Sequence, residues 1–160
     1  MKKFSLYFMA YSQGKFFGNM LAMNNQQWFE RVCSIPSNLK FWLHFEIDDR
    51  DSTVPYSAHH EFPPQQPIQI IPNLETVKLM QHAKDTSNTS WDDFYSRDVE
   101  NWQPIDHAVY TLHQDDLQSW NKTLKHLLRC KELVGTDINY QLAEEYFNVY
   151  WQAHSNLFPK

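Results

Sequence analysis

Glycine is scarce in this 160-residue chain: Gly14, Gly18 and Gly135 are the whole supply. None falls in a Gly-x-Gly-x-x-Gly or Gly-x-x-x-x-Gly-Lys pattern, so the common backbone cradles for nucleotide phosphates are missing. Cysteine is scarcer still. Cys33 and Cys130 build neither a disulfide framework nor a four-cysteine zinc site, and each falls on or beside an amphipathic stretch where a buried, inert thiol is expected. No run of 18 apolar residues occurs, which excludes a membrane-spanning helix. Basic side chains are outnumbered, 14 Lys plus Arg against 19 Asp plus Glu, for a net charge of −5. That balance argues against a protein whose main work is holding a phosphate backbone. There is no Gly-x-Ser-x-Gly elbow and no His-Glu-x-x-His pair.

What the chain does have is hydrophobic and aromatic material, 42% and 16% of residues, with six tryptophans. Its length sits near the prior of ~150 residues for one domain, so a single globular domain over 1–160 is expected. The opening Met1-Lys2-Lys3 followed by Phe4–Tyr11 is too short and too interrupted for a secretory leader, and a cytoplasmic protein is the expectation.

Alternating apolar residues predict strands over Phe4–Ala10 and Leu39–Ile47. Between them Asn25 caps a short helix carrying Trp28, Phe29 and Val32. Asp48–Pro67, with four of the eight prolines, reads as a long excursion unable to hold a central strand. Ile68–Ile71 is a short strand, and Leu74, Val77 and Met80 fit a helix ending near Ala83. Trp91, Phe94, Tyr95 and Trp102 have near-helical spacing, closed by Pro104. A strand lies within Asp106–His113. Asp115 and Asp116 open a helix with a Leu117, Trp120, Leu124, Leu127, Leu128 face that Gly135 ends. Thr136 or Asp137 caps a last helix with Leu142, Tyr146, Val149 and Ala153 inward. The expected fold class is α+β: a small, mostly antiparallel or mixed β-sheet packed against helices, with a C-terminal helical hairpin.

Charge is unevenly spread. Residues 46–61 carry five acidic groups against Arg50, residues 85–116 carry eight against Arg97, and residues 1–45 are net positive. Crowded carboxylates repel unless a cation or a basic partner relieves them. The second acidic block also interleaves aromatic residues, the composition of a protein-docking surface. The expected partner-binding residues are Asp48, Asp49, Asp51, Trp91, Asp92, Asp93, Tyr95, Asp98, Glu100 and Trp102. Acidic first turns and core aromatics would give the same pattern without any partner.

The expected function is that of a small binding protein, not an enzyme: an immunity protein or antitoxin that neutralises a basic, nuclease-like toxin domain. No cofactor, metal, nucleic acid or membrane is expected. Two other readings fit parts of the sequence. Asp48, Asp49, Asp51, His59, His60 and Glu61 bring metal-ligand chemistry together in a hydrolase, although adjacent histidines on extended chain point to opposite sides. An aromatic patch around Trp91 and Trp102 could instead drive self-association of an adaptor of phage or bacterial origin. Stacking of single-stranded bases on Tyr7, Trp42 and His44 is the weaker possibility left by the basic N-terminal segment. His107 and His113 lie too far apart on a strand to share one ion.

Overall fold

The computed structural model describes residues 4–33, 56–59, 66–84, 88–135 and 137–155. Four strands, β1 (Phe4–Tyr7), β2 (Tyr56–His59), β3 (Ile68–Ile71) and β4 (Tyr110–His113), form one sheet in the order β2-β1-β3-β4. Every described pairing is parallel, which corrects the antiparallel or mixed sheet expected from sequence. The reason lies in the connections. Parallel neighbours need long crossovers, and the chain supplies α1 (Gly14–Leu21) and α2 (Gln26–Val32) between β1 and β2, then α3 (Leu74–Lys84) and α4 (Trp91–Phe94) between β3 and β4. β2 falls inside the proline-rich excursion, at the sheet edge where prolines nearby are tolerated. The expected strand over Leu39–Ile47 lies outside the described residues.

Adjacent strand residues face opposite ways, and both faces of β1 are covered. Leu6, Ile68, Ile70 and Leu112 join Phe16, Phe17, Met20 and Leu21 of α1, Trp28 of α2, and residues of the last two helices in the larger core cluster. On the other side Tyr7 stacks on Trp102, ring centroids 5.2 Å apart, and its hydroxyl donates to the Gln103 carbonyl at 2.5 Å. Gln69 follows suit, its amide pairing with both the N–H and the carbonyl of Ile105. Burial on both faces is what parallel strands require.

Helix α1 was not anticipated, because Gly14 and Gly18 lower helix propensity. Gly14 is needed for contact: a Cβ there would overlap the Phe8 ring. The Asn25 cap is present, its side chain accepting from Trp28 N–H at 2.8 Å. After β4 the chain makes a 3-10 turn (Gln114–Gln118), then α5 (Trp120–Val134), whose N-cap is Ser119 and whose end is Gly135 at φ 69°. Asp115 and Asp116 therefore belong to the 3-10 turn and not to the helix start. The last helix, α6 (Tyr140–Ala153), is capped by Asn139, not Thr136 or Asp137, and it buries Ala143, Tyr146, Phe147 and Tyr150. Of the expected Leu142, Tyr146, Val149 and Ala153 stripe, Tyr146 is buried and the other three are partly buried against the core, so the stripe is centred nearer Ala143 and Phe147. Helices α5 and α6 both pack on α1, and side chains bridge them, with Lys131 over the Tyr140 ring and Trp120 against Phe147. No helix among the described residues is long and apolar enough to cross a membrane.

Candidate functional site

Helix α4 begins at Ser90, whose hydroxyl accepts from Asp93 N–H at 3.1 Å. With Trp91 and Phe94 separated by less than one turn, and Tyr95 one turn after Trp91, the three rings gather on one side: Trp91 meets Phe94 at 5.6 Å and Tyr95 at 6.0 Å between centroids. Phe94 and Val99 are buried with Met9 and Val77 in a second, smaller cluster. The helix widens into a π turn over Tyr95–Val99, with Glu100 N–H reaching the Tyr95 carbonyl at 2.9 Å. That widening keeps Val99 inward while Asp92, Asp93, Ser96, Arg97 and Glu100 stay exposed. Such π turns recur at functional sites.

The expected partner-binding residues therefore divide. Asp92, Asp93 and Glu100 are each exposed on this segment, and among the described residues none of them enters an ion pair within 4 Å. Asp98 is half-buried and held by Arg97 Nε at 2.8 Å. Tyr95 is exposed and Trp91 half-buried. Trp102 is committed to the face of the sheet through Tyr7, with its indole N–H buried and unpaired among the described residues. Asp48, Asp49 and Asp51 lie outside the described residues, as do His60 and Glu61. The eight-carboxylate block does not hold together as one surface. Asp115 accepts from Asn73 at 2.5 Å, and Asp116 is engaged by α5.

Beside α4 lies a cleft of about 480 Å³ between α3 and the start of α4. Leu79 and Trp91 form apolar walls, Glu75, Lys78 and His82 lie on the α3 side, and Gln81 ties α3 to the incoming chain through the Thr89 carbonyl at 2.8 Å. Lys78 Nζ sits 5.7 Å from the Trp91 ring centroid, a cation–π contact that fixes the indole. Leu79 is 39% exposed, although its neighbours Val77 and Met80 are fully buried. The cleft was invisible in the sequence, since it depends on how two helices joined by a polar connector come together. An exposed leucine on an otherwise polar helix face was the available signal.

Two polar arrangements elsewhere were also missed. The hydroxyl of Tyr110 on β4 lies 2.6 Å from His126 Nδ1, and His126 Nε2 lies 2.8 Å from Asp116. A carboxylate only accepts, so Nε2 carries the proton and Nδ1 accepts from the phenol. Burial, with the neighbouring Cys130 and Asp116, raises the Tyr110 pKa against the opposing pull of Arg129, so the phenol keeps its proton. A tyrosinate nucleophile needs the reverse, and the chain of bonds serves as a clamp of β4 to α5. At the carboxyl ends of the strands, buried Gln114 donates to Gln13 at 3.0 Å and accepts from Asn73 N–H at 2.8 Å, while Gln13 donates to the Tyr150 hydroxyl. Gln13 and Tyr11 both have positive φ, near 68° and 65°. The amide partners there are mutually satisfied.

Among the described residues no three His, Cys, Asp or Glu side chains converge as metal ligands. Tyr7 is buried, so it offers no platform for a nucleic-acid base. His107 is outside β4 and exposed, 3.7 Å from the Asp106 carboxylate. Comparison with family models, with curated proteins and with solved structures finds no match for the chain.

Proposed function

We propose that this chain is a cytoplasmic binding protein whose α4 surface docks a basic macromolecular partner, in the manner of an immunity protein or antitoxin covering a phosphate-handling site. The single observation that carries the reading is Asp92, Asp93 and Glu100 exposed along one short segment with no cation against them among the described residues, next to the Trp91–Leu79 cleft. Uncompensated charge of one sign accelerates encounter with the opposite sign, and adjacent aromatic surface supplies lasting contact. Neither role needs a catalytic group.

The experiment is to recover a partner from the native host with the whole chain as bait, then to measure association rates as a function of salt. Reversing Asp92 and Asp93 to Lys should slow association by about tenfold or more at low ionic strength and flatten its salt dependence. Unchanged rates in a folded variant would show that the acidic side of α4 is not the docking surface. The same runs in parallel with Asp115→Lys serve as control, because that carboxylate is already held by Asn73.

A further inference from the structure

Acidic residues on α4 account for long-range attraction but not for which basic partner is retained. The α3–α4 cleft offers a means of selection. Its volume, about 480 Å³, falls within the ~300–1,000 Å³ range of ligand sites. Its walls are the exposed Leu79 and the Trp91 indole, which the Lys78 ammonium holds from one side. An apolar wall left in water at a leucine, beside a pinned aromatic ring, is the surface that a partner's anchor residue covers. Of the charged groups lining it, Glu75 is matched by Lys78, and the exposed Asp92 and Asp93 follow directly on Trp91 in the chain, so carboxylates outnumber ammonium groups beside the cleft. From the charge complementarity and the apolar walls together, we infer that the cleft receives a bulky apolar side chain, best an aromatic one, flanked in the partner's sequence by Lys or Arg.

This inference rests on the acidic-surface reading, and it adds the residue that the partner must present. The Lys78 contact suits it, because an incoming ring can lie against Leu79 and the edge of Trp91 without displacing the cation. Most of the surface the cleft exposes is apolar, although polar residues contribute to its rim. The Gln81 amide is already used by the Thr89 carbonyl.

The test uses blocked synthetic peptides titrated into the isotopically labelled full chain, following the Trp91 indole and the Asp92 and Asp93 amide resonances. Three probes suffice: Gly-Lys-Lys-Phe-Lys-Lys-Gly, the same peptide with Ala in place of Phe, and the Phe peptide with Glu in place of every Lys. The lysine-flanked Phe peptide should bind about tenfold more tightly than its Ala counterpart and shift the Trp91 indole. Leu79→Lys should erase that difference. Leu74→Lys, which adds the same charge to an exposed position of α3 that does not line the cleft, should preserve it. Equal binding of the Phe and Ala peptides, with shifts at Asp92 and Asp93 only, would overturn the cleft and leave the acidic surface standing. Glu-flanked and Lys-flanked Phe peptides binding alike would overturn the acidic surface and with it the basic flanks. No shift with any probe would overturn both.

Discussion

Burial sets the chemistry of the two cysteines. Desolvation pushes the Cys130 thiol up to about 12, and desolvation together with the Glu145 charge pushes Cys33 up to about 11, against 9.0 for the free group. The folded state therefore holds these protons to higher pH than the unfolded state. Below pH 9 both states are protonated and nothing depends on pH. Above it the unfolded chain ionises first, so stability falls as pH rises from about 9 toward 12. Replacing Cys33 by Ser and Cys130 by Ala should move the onset of alkaline destabilisation in urea titrations from about pH 9 to about pH 10, where Tyr7, Tyr110 and Tyr140, all raised by burial, take over. An unchanged onset would mean that the thiols do not carry it. The buried Cys130 was legible in the sequence because a thiol on an amphipathic stretch is a small apolar side chain, whereas Cys33 is only half-buried. Gly14 was not legible, since its role depends on the Phe8 ring arriving from the end of β1. Gly14→Ala should cost about 1–3 kcal/mol by urea denaturation, the range for overpacking.

Elements that announce themselves by local chemistry were readable, and those fixed by tertiary contact were not. The α2 cap at Asn25, the Gly135 terminus of α5 and the existence of α3, α5 and α6 follow from caps, apolar spacing and one left-handed glycine. The α6 cap went to Asn139 because helix start and core register are set together: Asn139 N–H is bound by the Met23 carbonyl, and Tyr146 and Tyr150 then reach Asn19 and Gln13. Asn139→Ala should cost about 1 kcal/mol, as caps do, with the α6 amides losing exchange protection first. A larger penalty attaches to the polar network under the strand ends. Gln114→Leu keeps the volume approximately but orphans Asn73 N–H and the side-chain Oε1 of Gln13, each worth about 1–3 kcal/mol when buried. Chemical denaturation should show a loss well beyond that of Asn139→Ala, despite the added apolar surface. A neutral result would mean that water replaces the amide at those groups.

At the scale of the molecule the alternation of strands and helices was visible, yet its consequence was missed. Phe4, Leu6, Tyr7, Phe8 and Met9 form a nearly continuous apolar run, buried on both sides, and crossovers of helical length separate β1 from β2 and β3 from β4. Both are signs of parallel pairing. Charge was legible as composition but not as place: of the second acidic block, α4 retains an exposed group while Asp115 and Asp116 are bound to neighbours. The exposed group has a cost and a benefit that differ in range. Asp92 and Asp93 lie in the first turn of α4, where the helix dipole stabilises each by about 0.3–1 kcal/mol, an effect confined to that turn. Their repulsion with the remaining carboxylates acts over the whole surface and weakens with salt. Reversing both to Lys takes the chain from a net charge of −5 to about −1, relieving the second effect while forfeiting the first. The variant should therefore stay folded, lose no more than about 1–2 kcal/mol in low-salt urea melts, and approach the parent protein at 0.5 M NaCl, where both terms are screened. A collapse in stability at all salt concentrations would place Asp92 or Asp93 in packing contacts, and slowed association of that variant would then report unfolding and not lost attraction.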